Sequence, residues 1–137
     1  MPDEQSKINS GIPEILIGAK NIAVVGLSDS PAKASNRVAV HLKQKGYELF
    51  PINPKYETIL GFKCYPNLRA IKDKIDIVDI FRPSDQVLPF IEDAIAIGAG
   101  TIWMQLGIEN PAAAQLALDS GLNVIMNRCI KIESQKL

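Results

Sequence analysis

The chain alternates short apolar runs with segments whose apolar residues recur at helical spacing. Five such runs occupy residues 21–26, 47–53, 75–81, 101–105 and 122–126. A short run that is apolar on both faces and ends at Gly, Pro or polar residues is typical of a strand in a parallel sheet. Parallel strands need long crossover connections, and the segments between the runs supply them. The alternation therefore predicts an α/β fold built on a parallel sheet.

Helix boundaries are marked by capping residues. Residues 11–19 predict a short helix before the first strand, and residues 35–45 predict a helix that ends at Gly46, which suits a left-handed cap. A later helix should begin near Leu88, because Pro89 fits only a first turn. Asn110 followed by Pro111 predicts an N-cap and first helical position, and Gly121 closes that helix.

These elements together predict one Rossmann-like domain over residues 1–137, with helices on both faces of about five parallel strands. Numbered along the chain, the strands are expected in the order 3-2-1-4-5. A ligand crevice would then open between strands one and four, at the carboxyl ends of the strands. Residues 54–74 should form loops, a minor strand and a helical turn. Residues 1–10 are expected to be a flexible N-terminus, and residues 131–137 a polar tail.

Charge and cysteine content narrow the class of protein. The chain has 15 basic and 15 acidic residues and no formal net charge, so nothing favours a nucleic acid partner. Its two cysteines, Cys64 and Cys129, do not make the disulfide framework of a small secreted domain. The N-terminus lacks the charge and apolar pattern of a signal peptide, and no apolar run reaches membrane-spanning length. We therefore expect a soluble, cytoplasmic protein that binds neither nucleic acid nor membrane.

The segment after the first strand has the outline of a phosphate site. Gly26 permits close approach of backbone, Ser28 offers a hydroxyl and an amide, and Arg37 lies in the first turn of the next helix. An ordinary turn with Ser35 as N-cap explains the same pattern. The dinucleotide fingerprint G-x-G-x-x-G is absent, because Ser28 and Pro31 stand at two of the glycine positions.

The ends of the later strands supply further polar groups. The second strand ends in Asn53-Pro54-Lys55 rather than in the acidic residue of an NAD site, which suits a phosphorylated ribose, although Lys55 can equally be a surface lysine. Arg82 either binds a ligand phosphate or pairs with Asp85. Asp79 lies in an apolar strand, where an unpaired carboxylate is costly, and the sequence identifies no partner for it.

Cys129 follows Arg128, so its thiolate could be favoured, but a buried, inert thiol is the alternative. No G-x-S-x-G elbow, P-loop or Cys-x-x-Cys is present, and the single His has no metal-ligand spacing. We therefore predict neither a catalytic residue nor a metal site.

Six motifs in order resemble those of the stand-alone CoA-binding domain proteins. They are Val24-Val25-Gly26-Leu27-Ser28, Asn36-Arg37-Val38, Pro51-Ile52-Asn53-Pro54, Val78-Asp79-Ile80-Phe81-Arg82, Trp103-Met104-Gln105-Leu106-Gly107-Ile108 and Asn127-Arg128-Cys129. That family is similar in fold to the CoA-binding domain of the succinyl-CoA synthetase alpha subunit.

The resemblance implies that coenzyme A binds at the carboxyl edge of the sheet. It implies that the ligand phosphates lie near Gly26, Leu27, Ser28, Asn36 and Arg37, that the phosphorylated ribose lies near Asn53, Pro54 and Lys55, and that Arg82, Pro83, Gln105 and Gly107 line the rest. Members of the family have Asp where this chain has Asn127, which argues against a charged role there.

The predicted function is binding of coenzyme A or an acyl-CoA, as a carrier or regulatory module without a complete active site, with a protein partner still to be identified. One alternative is a CoA-linked transferase or thiol-redox protein that uses Cys129. Another is an NAD(P)-binding regulator, which the missing glycines and acidic residue disfavour.

Overall fold

The computed structural model describes residues 7–137. The elements in chain order are α1 (Ile12–Gly18), β1 (Asn21–Val25), α2 (Ala34–Gln44), β2 (Glu48–Ile52), β3 (Thr58–Ile59), β4 (Phe62–Lys63), β5 (Ile77–Ile80), α3 (Leu88–Ala96), β6 (Thr101–Met104), α4 (Pro111–Asp119), β7 (Asn123–Met126) and α5 (Ile130–Gln135). Short 3-10 helices cover Leu68–Ala70 and Ser84–Gln86. None of the helices found in residues 7–137 is long and apolar enough to span a membrane.

Five parallel strands form the main sheet in the order β2-β1-β5-β6-β7, and β3 and β4 make a separate antiparallel hairpin. At the carboxyl edge Val25 of β1 lies between Ile52 of β2 and Ile80 of β5. The predicted fold class, a Rossmann-like parallel sheet with flanking helices, is confirmed.

The predicted strand order 3-2-1-4-5 is wrong. The third long strand, β5, pairs with β1 instead of β2, which gives the order 2-1-3-4-5 for these five strands. The reason is visible in β2, whose Pro51 has no N–H to donate to a ladder. Within residues 7–137, β2 makes only an isolated bridge on its outer side, in which the carbonyl of Pro51 accepts from the N–H of Tyr65 and the N–H of Asn53 donates to the carbonyl of Tyr65. An interior position would leave a gap at Pro51, so β2 lies at the edge.

Two apolar layers enclose the sheet. Helices α1, α2 and α5 cover one face, where residues such as Leu42, Trp103 and Ile130 are buried. Helices α3 and α4, with the 3-10 helix at Leu68–Ala70, cover the other face around Val78 and Ile91. Successive residues of each strand point to opposite layers, so both faces of β1, β5 and β6 are buried.

The C-terminal segment has more regular structure than the sequence suggested. The segment treated only as a polar tail mostly forms α5, with Ile130 and Ser134 buried. The predicted flexible N-terminus falls largely on residues 1–6, which lie outside the described residues. Asn9 is held against β7: its backbone N–H donates to Val124 O (2.9 Å), and its side-chain oxygen accepts from Met126 N (2.6 Å).

Candidate functional site

The sheet order places the topological switch point between β1 and β5, because the helices that follow these two strands lie on opposite faces of the sheet. Gly26 follows β1 and has a φ of 82°. A Cβ at this position would lie 2.7 Å from the carbonyl oxygen of Phe81, which follows β5. Only glycine therefore allows the two strand ends to approach this closely. A crevice between strands one and four would have brought Gln105 opposite Gly26, but β5 lies between β1 and β6 and separates the two residues.

A small hydrogen-bond network shapes the loop between β1 and α2. The side chain of Asn36 is buried and its Nδ2 donates to Ser28 O (2.9 Å). The backbone N–H of Ser28 donates to Ser35 Oγ (3.0 Å), and Arg37 Nη1 donates to Ala32 O (2.6 Å). Asn36 and Arg37 thus position the loop through its carbonyl groups.

The loop after β2 is tied to the same loop by Asn53. Its Nδ2 donates to Leu27 O (3.1 Å), and its Oδ1 accepts from the backbone N–H of Lys55 (2.9 Å). Both the Nδ2 and the Oδ1 of Asn53 are therefore hydrogen-bonded to backbone groups. Asn53 holds Lys55 at the edge of the sheet next to the β1 loop.

A first cavity of about 490 Å³ opens between these two loops. Seven of the twelve predicted site residues line it: Gly26, Leu27, Ser28, Asn53, Pro54, Lys55 and Arg82. Lys55 and Arg82 bring positive charge, whereas the exposed carboxylate of Asp29 brings a negative charge to the same wall. A bound phosphate would be attracted to the two cations and repelled by Asp29.

Two aromatic residues of the first cavity were not among the site residues predicted from the sequence. Tyr56 and Phe90 both line it, and Tyr56 is among the exposed large apolar side chains. Tyr56 stands directly after Lys55, so an aromatic residue following a strand-end cation was the available signal. Phe90 lies on α3 and had no comparable signal, because only the fold brings α3 to this edge.

A second cavity of about 460 Å³ lies on the other side of Arg82. Its walls come from α2, from the ends of β5, β6 and β7, and from α5; the lining residues are Ala34, Val38, Phe81, Arg82, Pro83, Gln105, Leu106, Ile108, Cys129 and Ile132. Arg82 is the only charged residue among these. The second cavity is therefore mainly apolar, and Arg82 is the one lining residue that it shares with the first cavity.

Arg82 does not pair with Asp85, which was one of the two roles expected for it. Its Nη2 donates instead to the Oε1 of Gln86, the residue after Asp85. Arg82 is an exposed residue, and it borders both cavities. Its charge faces a neutral amide partner, so it stays available to an anionic ligand.

Gln105 and Gly107 follow β6 but have different surroundings. Gln105 is buried, and its Oε1 accepts from the backbone N–H of Ile130 (3.0 Å), which anchors the start of α5 beside the second cavity. Gly107 donates its N–H to Asn127 Oδ1 (2.7 Å) and lines neither cavity. Asn127 has a φ of 60°, a conformation that Asn tolerates well. Its role is that of a neutral acceptor at the turn.

Asp79 and Cys129, which the sequence singled out, lie in the layer of α1, α2 and α5. Asp79 is fully buried on β5 beside Val24 and Trp103, and its two carboxyl oxygens have no hydrogen-bond partner among residues 7–137. Burial raises the pKa of this carboxyl well above its usual range. Cys129 is a free thiol, half-buried at the start of α5, in the wall of the second cavity.

Comparisons with known proteins identify the family and support the fold. The CoA binding domain family model matches residues 20–135. The uncharacterized protein YneT of Bacillus subtilis strain 168 is 40% identical over 93% of this chain and 95% of its own length. A hypothetical protein from Pyrococcus horikoshii OT3 has a similar solved structure, with a TM-score of 0.88, 38% identity, and coverage of 99% of this chain and 92% of that one.

A larger enzyme carries a related segment. The ADP-forming acetate–CoA ligase I of Archaeoglobus fulgidus is 33% identical over 70% of this chain, which corresponds to only 15% of the ligase. The likeness to the ligase is thus confined to one part of it. The family match, by contrast, runs from the residue before β1 to the end of α5. The chain belongs to the CoA-binding domain family.

Proposed function

We propose that this protein binds coenzyme A or an acyl-CoA across the carboxyl edge of its sheet, as a carrier or regulatory module without a complete active site. The observation that carries the proposal is the pair of cavities that meet at Arg82, one bordered by two cations and the other mainly apolar. Coenzyme A has the same division, with phosphates at one end and a thiol-bearing arm at the other.

The nucleotide end belongs in the first cavity. The backbone of the Gly26–Ser28 segment comes close to a ligand there, and Lys55 and Arg82 can neutralise phosphate oxygens. Tyr56 and Phe90 offer apolar ring surfaces for the base. Asn36, Arg37 and Asn53 then act as positioning residues, because their hydrogen bonds hold the two loops that border this cavity.

The arm of the ligand belongs in the second cavity, which it reaches past Arg82 and Pro83. The family match and the similarity to acetate–CoA ligases support coenzyme A over other nucleotides. The absence of an acidic residue after β2, where Asn53-Pro54-Lys55 stands, argues against a free ribose diol and hence against NAD. Free cysteines suit a reducing cytoplasm, which is the location that we propose.

Thermal unfolding in the presence of candidate ligands tests the proposal. Coenzyme A at about 100 times its dissociation constant should stabilise the fold by about 2.7 kcal/mol and raise the midpoint by on the order of 10 °C. Dephospho-CoA should give a smaller shift, and NAD and NADP none. A larger shift with NAD or NADP than with coenzyme A would instead favour the NAD(P)-binding alternative.

A charge-removal variant makes the test specific. Lys55→Met should weaken binding of coenzyme A by about tenfold, equivalent to about 1.4 kcal/mol, and weaken binding of dephospho-CoA much less. Lys72→Met is the matched control, because Lys72 is exposed and lines neither cavity. Equal losses for both ligands would show that Lys55 does not contact the ribose phosphate.

A thiol-redox function is the second candidate, and one observation favours it: the Cys129 thiol lies in the wall of the cavity that would receive the ligand arm. With the disulfide of coenzyme A as oxidant, the Cys129 thiolate would attack one sulfur, form a protein–CoA mixed disulfide and release one CoA thiolate. Intact mass before and after addition of reductant tests this exchange. If no adduct forms on the protein and the Cys129→Ser variant behaves identically, this candidate fails.

A further inference from the structure

We propose that the second cavity binds the acyl group of an aliphatic acyl-CoA, so that the preferred ligand is a thioester and not free coenzyme A. This inference rests on the proposed function and names the substrate class of the same site. The arm of coenzyme A carries polar amide groups, whereas the walls that it would reach are mainly apolar, so an acyl chain on its thiol would add the apolar surface that matches them.

The walls of the second cavity are suited to hydrocarbon. Val38, Phe81 and Ile108 supply apolar surface from three different elements. At its rim, Leu106 and Ile132 have 65% and 49% of their surfaces exposed, which places them among the exposed large hydrophobic residues of the described chain. Apolar side chains gathered at one opening indicate a surface that a ligand covers.

The second cavity lies where the acyl end of the ligand would be. Arg82 borders both cavities, so a ligand whose phosphates lie near Lys55 and Arg82 must pass Arg82 to reach the apolar walls. The ligand therefore changes from charged to apolar in the same direction as the protein surface does. An acyl group attached to the thiol extends that order by one further apolar segment.

The charge of the residues that line the second cavity limits which acyl groups it can bind. Beyond Arg82 at the border, every residue that lines the second cavity is uncharged, and the Oε1 of Gln105 is already hydrogen-bonded to Ile130. A carboxylate at the far end of the acyl chain would lose its water without gaining a cation. The cavity therefore favours a plain aliphatic chain over a dicarboxylic acyl group such as succinyl.

Calorimetric titration with coenzyme A and with its acetyl, butyryl, hexanoyl and succinyl thioesters tests the inference. Affinity should rise along the aliphatic series by up to about fourfold for each methylene until the cavity is filled. Succinyl-CoA should bind no more tightly than coenzyme A. If coenzyme A binds and all the thioesters bind equally well, the inference fails while the proposed function stands. If no CoA compound binds, the proposed function itself fails, and the inference with it.

Variants locate the acyl group. Ala34→Phe places a ring in the second cavity from an exposed position at the start of α2, and it should abolish the gain with chain length. Ala112→Phe is the matched control, because Ala112 is exposed in the first turn of α4 and lines neither cavity. A gain with chain length that survives Ala34→Phe would place the acyl group elsewhere and overturn the inference.

A second pair of variants avoids dependence on one bulky substitution. Leu106→Ser removes apolar surface from the rim without filling the cavity, and it should reduce the affinity for hexanoyl-CoA more than that for acetyl-CoA. Leu88→Ser, at another exposed leucine that lines neither cavity, should leave the ratio of the two affinities unchanged. Equal ratios for both variants would also overturn the inference.

Discussion

Gly26→Ala tests the close approach at the switch point. Two costs are expected: the left-handed φ of 82°, worth about 1–2 kcal/mol for a residue with a Cβ, and the clash with the carbonyl oxygen of Phe81 at 2.7 Å. Relief of such a clash requires backbone to move, which costs about 1–3 kcal/mol in a packed region. The combined loss in the free energy of unfolding is therefore about 2–5 kcal/mol, enough to lower the thermal midpoint by on the order of 10 °C.

Gly121→Ala is the matched control for this measurement. Gly121 has a φ of 88°, but a Cβ there would meet nothing within 4 Å. The alanine also reduces the entropy of the unfolded chain by the same amount in both variants, so that contribution cancels in the comparison. The difference between the two variants then isolates the clash with Phe81.

Urea unfolding of the wild type and both variants gives the free energies, with the slope against urea as a check that the unfolding transition is unchanged. Gly26→Ala should be less stable than Gly121→Ala by about 1–3 kcal/mol. It should also weaken coenzyme A binding, because the loop that borders the first cavity must shift. Equal stability of the two variants would refute the argument that Gly26 is required by its contact with Phe81.

Three further predictions concern single side chains. Asn36→Ala should lower the free energy of unfolding by about 0.5–1.5 kcal/mol in urea titrations, because the partly buried carbonyl of Ser28 loses its 2.9 Å hydrogen-bond partner; an unchanged midpoint would contradict the role of Asn36 in shaping the loop. Asp79→Asn should remove a pH dependence. Burial raises the pKa of the Asp79 carboxyl, so the folded protein keeps a proton that the unfolded chain releases above about pH 4. The stability of the wild type therefore falls as pH rises from there toward the raised pKa. Identical slopes of stability against pH in both proteins would contradict this. Asp29→Asn should tighten coenzyme A binding by up to about fivefold in calorimetric titration, since it removes a repulsive charge from the first cavity; weaker binding would indicate that the carboxylate contacts the ligand directly.

Local patterns in the sequence predicted the five long strands and four of the helices, with ends within about two residues of those in the structure. Asn110 and Pro111 were expected to start a helix, and the structure has the side chain of Asn110 accepting from Ala113 N (3.0 Å) at the start of α4. The apolar runs form strands of a parallel sheet, because helices cover both faces of such a sheet and so bury both faces of each strand. The C-terminal segment was not predicted as a helix, since that helix is held by contacts of Ser134 with His41 of α2 and with Lys45, the residue that follows α2.

Strand order was the part of the fold that local patterns did not determine. Pro51 contained a usable signal, because a strand with a missing donor belongs at an edge. The position of β5 beside β1 depends on pairing between residues far apart in the chain, and no single segment encodes that choice. Because of this error the switch point was expected between β1 and β6, whereas the structure has it between β1 and β5.

The sequence by itself determined that this is a parallel α/β domain with polar and glycine residues at the carboxyl ends of its strands, because burial periodicity and capping act over a few residues. It also carried the motifs of the CoA-binding family. Only the tertiary structure decided which of those side chains face a cavity: Lys55 and Arg82 do, whereas Asn36 and Arg37 turn toward loop carbonyls. The apolar cavity likewise belongs to the tertiary structure, because its walls come from α2, α5 and three strand ends that meet only when the sheet has formed.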